Sequence, residues 1–175
     1  MHKSLLKEIV LEQEKDRQDI DVGIPRAALS VASRHATLPH AVVVSGVRRS
    51  GKSTLLNQVI SDLYKKGVYY LNFEDERLVD FNVADFNHLY EVFLELYGDK
   101  KVFFFDEVQN VPQWEVFVRR MQGKGCKFFI TGSNASLLSK ELGAKLTGRN
   151  INVELFPFSF MEFLGFDLIS LIKTA

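Results

Sequence analysis

The residues best suited to chemistry form a phosphate-binding pattern in the first third of the chain. They match G-x-x-x-x-G-K-[ST] in full and read Gly46-Val47-Arg48-Arg49-Ser50-Gly51-Lys52-Ser53. The two glycines allow a tight turn whose N–H groups face phosphate oxygens, and a following helix adds partial positive charge. In such a loop Lys52 reaches the β- and γ-phosphates, and the Ser53 hydroxyl binds Mg²⁺. We therefore predict a nucleotide-phosphate site at residues 46–53 together with Thr54.

The sequence on either side supplies the elements that position this loop. Residues 41–45 are mostly β-branched and predict a buried strand, and the residues from Thr54 onward predict a helix. Because strand, loop and helix occur in this order, the motif is specific, and a glycine-rich turn without a ligand is the weaker interpretation. Arg48 and Arg49 occupy the variable part of the loop, where exposure to solvent is favoured over contact with phosphate or a partner.

A second motif places two carboxylates at the end of an apolar strand. Val102-Phe103-Phe104-Phe105 precedes Asp106 and Glu107. Ligands of open α/β sheets bind at the carboxyl ends of the strands, so Asp106 is predicted to hold Mg²⁺, usually through water. Glu107 is the natural general base for an attacking water. The alternative for Glu107 is an ordinary solvated carboxylate at a strand end.

The distance between the two motifs restricts the topology. Lys52 and Asp106 are 54 positions apart (106 − 52), which leaves room for a helix, a strand at 68–73 and another helix. This arrangement resembles the phosphate-loop proteins with an inserted strand and a catalytic glutamate, whose sheet order is 5-1-4-3-2. The GTPase division does not fit, because the third strand lacks D-x-x-G and the chain contains no N-K-x-D.

The remaining periodicity completes an α/β pattern. Apolar runs at 127–131 and 150–155 predict the fourth and fifth strands. Alternating strands and helices predict a phosphate-loop NTPase fold, a three-layer αβα sandwich with a parallel five-stranded sheet and N-terminal helices. Helices are expected at 4–17, 26–36, 53–66, 85–97, 112–121 and 135–146, and a capping box at 159–162 begins a last one.

Two further motifs lie near the predicted site. The strand at 127–131 ends in small hydroxyl residues, which resembles the first sensor of AAA-type ATPases; Ser133 is the first choice and Thr131 the second. Capping of the next helix is an equally good interpretation of Ser133. Arg149 follows Thr147-Gly148 at the place where AAA-type ATPases often carry an arginine finger. A surface arginine on a turn is the alternative for Arg149.

Taken together, the motifs resemble the prokaryotic AAA-domain ATPases, which are related to the STAND class. The resemblance covers 26–164 and rests on GVRRSGKS at 46–53, FED at 73–75, FFDEVQNVPQWE at 104–115, ITGS at 130–133, LTGR at 146–149 and FPFSFMEF at 156–163. It implies an ATPase core with ATP and Mg²⁺ as ligands. It also places Ile24, Pro25 and Arg26 among the candidates for the adenine pocket.

The same resemblance divides the chain into three parts. Residues 1–25 are an N-terminal helix and linker, and 26–164 are the ATPase core. Family members continue with a helical region and a second domain, whereas 20 residues follow Leu155 here (175 − 155). We therefore expect the helical lid to be missing and 165–175 to be the start of a truncated C-terminal region.

Composition limits the partners and the compartment. Lys plus Arg number 22 and Asp plus Glu number 22, so DNA binding has no support from net charge. The single Cys126 fits a reducing compartment, and charged residues interrupt the N-terminal apolar run. We expect a cytoplasmic protein without a membrane segment. Assembly into a homo-oligomer and binding to a partner protein are both compatible with the sequence.

These observations favour one function and leave others open. The favoured function is a Mg²⁺-dependent ATPase that couples hydrolysis to conformational change in an attached domain or partner. The alternative is a slowly hydrolysing nucleotide-dependent switch or binding module that recruits protein or DNA. A small-molecule kinase is disfavoured, because Glu107 provides a base for water and no arginine-rich lid motif is found.

Overall fold

A parallel five-stranded sheet forms the centre of the molecule. The computed structural model describes residues 1–65, 67–132, 146 and 148–164. The strand order is β2-β3-β4-β1-β5, which read from the other edge is the expected 5-1-4-3-2. The strands are β1 (Ala41–Ser45), β2 (Tyr69–Asn72), β3 (Val102–Asp106), β4 (Lys127–Gly132) and β5 (Asn150–Glu154). The predicted phosphate-loop NTPase fold is therefore confirmed.

The central strands are apolar on both faces because helices cover both faces of the sheet. Alternate side chains of β3 point to opposite sides: Phe103 and Phe105 join one core cluster and Phe104 joins the other. Phe128 and Phe129 divide in the same way and stack on Phe103 and Phe104, with ring centroids 4.7 Å apart in each pair. These phenylalanines are core residues, as expected from their positions in strands.

The helices largely follow the sequence pattern, with differences at their ends. They are α1 (Lys3–Gln18), α2 (Ala27–Arg34), α3 (Lys52–Val59), α4 (Asp85–Tyr97) and α5 (Trp114–Gln122). α5 begins two residues after Pro112, because Gln113 has the left-handed φ of +62°. α3 gives way to a π-helical turn at Ile60–Tyr64, closed by the Lys65 N–H donating to the Ile60 carbonyl at 2.7 Å. The predicted continuous helix at 53–66 is wrong in that respect.

The N-terminal helices pack at opposite edges of the sheet. α1 lies against α4 and β2, where Leu6, Ile9 and Val10 are buried. It covers the edge strand β2 on one side, which shields part of that edge. α2 lies against α3 and β5, next to the phosphate-binding loop. The linker between the two helices contacts α3, because Gln58 Nε2 donates to the carbonyl oxygens of Val22 at 2.8 Å and Ile24 at 2.6 Å.

The last described segment contains the predicted capping box. The Ser159 N–H donates to Glu162 Oε2 at 2.9 Å, and the Glu162 N–H donates to Ser159 Oγ at 3.2 Å. Residues 160–164 form the helical turn that follows, so this prediction is confirmed. Ser133, Thr147, most of the expected helix at 135–146, and 165–175 lie outside the described residues. Across the described part of the chain, no helix has both the length and the apolar character needed to span a membrane.

Candidate nucleotide-binding site

The phosphate-binding loop connects the carboxyl end of β1 to the start of α3. Gly46 and Gly51 have φ angles of +155° and +92°. A Cβ on Gly46 would lie 2.2 Å from the Leu155 carbonyl oxygen, so no other residue fits there without moving the chain after β5. A Cβ on Gly51 would lie 2.9 Å from Nη1 of Arg26. Both glycines are thus required by backbone conformation and by close neighbours.

Lys52 is buried inside this loop. Its Nζ donates to the carbonyl oxygens of Gly46 at 3.4 Å and Val47 at 3.2 Å. The same nitrogen lies 3.7 Å from Oε1 of Glu107. The first two partners belong to the loop and the third belongs to the turn after β3. The ammonium group is therefore positioned between the loop and the carboxylates, as a phosphate-binding lysine requires.

Asp106 is fully buried at the carboxyl end of β3. It shares a short hydrogen bond with the hydroxyl of Thr131, and the Tyr70 hydroxyl donates to its Oδ2 at 3.5 Å. Burial raises the pKa of Asp106, while hydrogen bonds from Thr131 and Ser53 act in the opposite direction. A cation beside this carboxylate would restore its charged form.

The donor set at this position fits Mg²⁺. Ser53, at the start of α3, lies near enough to Asp106 for its hydroxyl to offset part of the rise that burial causes in the pKa of that carboxylate, so the two groups face the same space. Among the described residues, no group of three or more His, Cys, Asp or Glu side chains forms a complete metal cage. Mg²⁺ typically takes one or two protein oxygens and completes its shell with water and substrate phosphates.

Glu107 begins the turn after β3 in the left-handed conformation, with φ +51° and ψ 42°. Its N–H donates to Thr131 Oγ1 at 2.9 Å, and its Oε2 accepts a hydrogen bond from Gln109 Nε2 at 2.5 Å. The side chain is 13% exposed and is held near Lys52. A positive φ is uncommon for a residue with a side chain and is often found at functional sites.

Thr131 connects the two carboxylates. One hydroxyl on the adjacent strand β4 bonds both the side chain of Asp106 and the backbone of Glu107. In this arrangement the hydroxyl positions the carboxylates, a role different from the γ-phosphate contact expected of a sensor. Ser133, the first choice for the sensor, lies outside the described residues.

Arg149 is not brought together with the other predicted residues. It precedes β5, and its carbonyl accepts a hydrogen bond from the Ala41 N–H at 2.9 Å, which places it beside the first residue of β1. The loop follows the last residue of that strand, about 13 Å away at ~3.3 Å per residue. The Arg149 side chain lines a cavity of about 350 Å³ with Pro39, His40 and Gln122 at the amino edge of the sheet.

The two arginines in the loop lie at its surface. Arg48 is 81% exposed and makes an ion pair with Glu74 at 3.3 Å. Arg49 is exposed and has the left-handed φ of +66°. Exposure to solvent was the favoured interpretation for both, and the structure agrees. The Arg48–Glu74 pair nevertheless connects the loop to the end of β2.

Sequence reasoning missed the role of Arg26. Its guanidinium is buried and donates to the carbonyl oxygens of Ser50 and Phe156, both at 2.7 Å, and to Oε1 of Glu162 at 3.0 Å. Three of its donors are therefore used within the protein. Arg26 had been expected only as one of the residues near the adenine. The capping box marked Glu162, but no motif connected it to Arg26.

The fold and these motifs define the class of protein: a phosphate-loop NTPase domain with an αβα sandwich. The family model described as "AAA domain" matches residues 39–164. The chain belongs to this AAA domain family. Membership in this family supports a nucleotide-binding ATPase domain.

Two curated relatives match much of this chain but only part of their own length. An uncharacterized protein of Methanocaldococcus jannaschii is 37% identical over 97% of this chain and 38% of its own length. An uncharacterized protein of Haemophilus influenzae is 40% identical over 70% of this chain and 32% of its own length. The chain thus spans about a third of the relatives that it matches.

The solved structures show the fold. Domain III of the Thermotoga maritima replication initiation protein DnaA has a TM-score of 0.53 at 15% identity, covering 87% of this chain and 72% of that one. AMPPCP-bound DnaA from Aquifex aeolicus has a TM-score of 0.51 at 18% identity, covering 75% of this chain and 48% of that one.

Proposed function

We propose that the chain binds ATP with Mg²⁺ and hydrolyses it to ADP and phosphate, and that hydrolysis drives a conformational change in an attached domain or partner. The observation that carries this proposal is the convergence of Lys52, Glu107 and Asp106 at the carboxyl edge of the sheet. A lysine in a phosphate loop beside a buried aspartate and a partly exposed glutamate is the set that phosphoryl transfer to water requires.

Each residue has a distinct role in this reaction. Lys52 exchanges its two loop carbonyl partners for phosphate oxygens and offsets their negative charge. Ser53 and Asp106 would hold Mg²⁺, and the ion would neutralise part of the negative charge of the nucleotide phosphates. Glu107 accepts a proton from the water that attacks the γ-phosphorus. Thr131 fixes Asp106 and Glu107 relative to each other, so that the base and the metal ligand act in one geometry.

Arg149 fits this reaction only through a second subunit. Its position at the amino edge of the sheet separates it from the loop of the same chain by the length of β1. An arginine supplied in trans can stabilise the charge that develops on the transferred phosphoryl group. We therefore include Arg149 as a finger for the site of a neighbouring copy, which makes a homo-oligomer the active form.

The test compares the parent chain with Glu107→Gln, using ATP and GTP with Mg²⁺. Glu107→Gln keeps the size of the side chain and removes the base, so we expect nucleotide affinity to persist and phosphate release to fall by about 10²-fold or more. Glu95→Gln, an exposed glutamate on α4, is the matched control. If Glu107→Gln releases phosphate at the rate of the parent, Glu107 is not the general base.

The contacts of Glu107 also favour a second candidate, a slowly hydrolysing switch. Its carboxylate is 2.5 Å from Gln109 Nε2 and 3.7 Å from Lys52 Nζ, so both partners compete with water for the base. Tight Mg²⁺-dependent binding with very slow release in the parent would identify a switch. Gln109→Ala should then accelerate release, because it removes one of these competing partners.

A further inference from the structure

Arg26 connects three segments that are distant in the sequence. It precedes α2, and its guanidinium bonds Ser50 in the phosphate loop, Phe156 just after β5, and Glu162 in the last described turn. The ring of Phe158 lies under the guanidinium, 4.4 Å from its carbon to the ring centroid. The Arg26 guanidinium thus contacts both the segment 156–164 and the phosphate loop.

The contact with Ser50 has a direct effect on the loop. The Ser50 carbonyl and the Gly51 N–H belong to one planar trans peptide, so they point in opposite directions. Because Arg26 binds that carbonyl, it fixes the direction of the Gly51 N–H. Backbone N–H groups of this loop are the donors that receive phosphate oxygens. Arg26 therefore orients one backbone donor of the loop.

Glu162 holds Arg26 in this position. Its Oε1 accepts from Arg26 Nε and from the Ala27 N–H, each at 3.0 Å. Its Oε2 accepts from the Ser159 N–H at 2.9 Å. Both members of the pair are mostly buried, with side-chain exposures of 3% for Arg26 and 14% for Glu162. A pair with this many fixed partners moves as one unit with the segment that carries Glu162.

A second contact connects the same segment to the other end of the loop. The Leu155 N–H donates to the Ser45 carbonyl at 2.7 Å, and the Leu155 carbonyl oxygen occupies the space beside Gly46. Both glycines of the phosphate motif therefore adjoin residues connected to the chain after β5. The phosphate loop and the chain after β5 are therefore connected at two points.

We propose that Arg26 is a positioning residue of the nucleotide site and that the Arg26–Glu162 pair couples occupancy of the phosphate loop to the segment 156–164. This inference rests on the proposed function. The segment carries exposed apolar side chains, among them Phe160 at 73% and Met161 at 74%. A shift of the segment re-orients this apolar surface. The binding of nucleotide therefore changes a surface outside the site.

Hydrogen exchange resolved by peptide tests the coupling. The parent chain is compared with Arg26→Lys, Glu162→Gln and the control Arg34→Lys, each with and without the non-hydrolysable ATP analogue AMP-PNP and Mg²⁺. Arg34 is an exposed arginine at the end of α2, so Arg34→Lys makes the same substitution at a position outside the phosphate loop. Binding of a fluorescent ATP analogue is measured on the same samples.

In the parent and in Arg34→Lys, AMP-PNP with Mg²⁺ should slow amide hydrogen exchange about threefold or more in both 46–54 and 156–164. In Arg26→Lys and Glu162→Gln, 156–164 should lose this response, and the nucleotide-free loop should exchange faster than in the control. The affinity for the fluorescent ATP analogue should fall about tenfold in Arg26→Lys and by a smaller factor in Glu162→Gln. If Arg26→Lys does not fold, Glu162→Gln carries the test, since it preserves the shape of the side chain.

The outcomes separate the two proposals. Nucleotide binding that protects 46–54 and leaves 156–164 unchanged in the parent overturns the coupling and leaves the proposed function intact. Variants that bind and respond like Arg34→Lys also overturn the coupling. Absence of nucleotide binding in the parent overturns the proposed function, and the coupling with it.

Discussion

Replacing Thr131 by Val removes the hydroxyl that joins Asp106 to Glu107. The side chain keeps almost the same shape, so strand β4 and its buried neighbours have no reason to repack. Two groups lose a partner: the buried Oδ1 of Asp106 and the partly buried N–H of Glu107. The substitution therefore isolates the hydrogen bonds from the packing of Thr131.

The expected magnitude follows from those two groups. Leaving a buried donor or acceptor unsatisfied costs about 1–3 kcal/mol each. Burial of the added methyl group offsets part of the loss, since a buried CH₂ contributes about 0.8 kcal/mol. We expect Thr131→Val to lower the free energy of unfolding by about 2–4 kcal/mol. Thr131→Ser retains the hydroxyl and should lose only about 1 kcal/mol.

Urea denaturation of the nucleotide-free chain measures these differences, with phosphate release as a second readout. Thr131→Val should lower kcat more than it raises KM, because Glu107 loses its fixed orientation while Lys52 still binds phosphate. Thr131→Ser should restore most of the rate. A Thr131→Val chain within about 0.5 kcal/mol of the parent would refute the bridging role of the hydroxyl.

The remaining predictions concern the loop and its link to the last turn. Gly46→Ala should prevent nucleotide binding, because its Cβ would lie 2.2 Å from the Leu155 carbonyl oxygen. Gly23→Ala, at another glycine of positive φ (+62°) but with no atom within 4 Å of the added Cβ, should bind normally in the same fluorescence titration. Burial raises the pKa of Glu162, but hydrogen bonds from Ser159, Ala27 and Arg26 bring it down to about 2, below its usual 4.5. Its carboxylate therefore stabilises the fold fully above about pH 4.5, by at most about 3 kcal/mol, and loses this effect as pH falls toward 2. In urea titrations, Glu162→Gln should differ most from the parent at neutral pH and converge with it in acid; a constant difference would contradict this account.

The sequence was sufficient to predict the fold, and to predict that Asp106 and Glu107 lie at the same edge of the sheet as the loop, because both depend on local patterns. An apolar strand followed by Asp106 and Glu107 places the carboxylates at one edge of the sheet by connectivity alone. Lys52 and Asp106 are 54 positions apart (106 − 52), which leaves room for an intervening strand, and β2 occupies that place. These predictions needed no knowledge of side-chain contacts.

Features that depend on distant backbone atoms were not predictable in the same way. Two of the acceptors of Arg26 are main-chain carbonyls, which carry no signature in the sequence. The π-helical turn at Ile60–Tyr64 arises where Lys65 adopts a φ of +51°, within a run that reads as continuous helix. Arg149 had the expected neighbours in sequence, but its distance from the loop depends on the length and direction of β1.

The position of β5 explains why the chain that follows it belongs to the nucleotide site. β5 is the edge strand next to β1, and its register continues past the last strand residue to the Leu155 N–H and the Ser45 carbonyl. The loop therefore begins beside the chain that leaves β5. A phosphate-loop domain built only from β1, α3 and β3 would retain Lys52 and both carboxylates but would lack the support for Gly46 and Ser50. For this reason a substitution at Glu162 is expected to affect the phosphate loop, although 110 positions separate it from Lys52 (162 − 52).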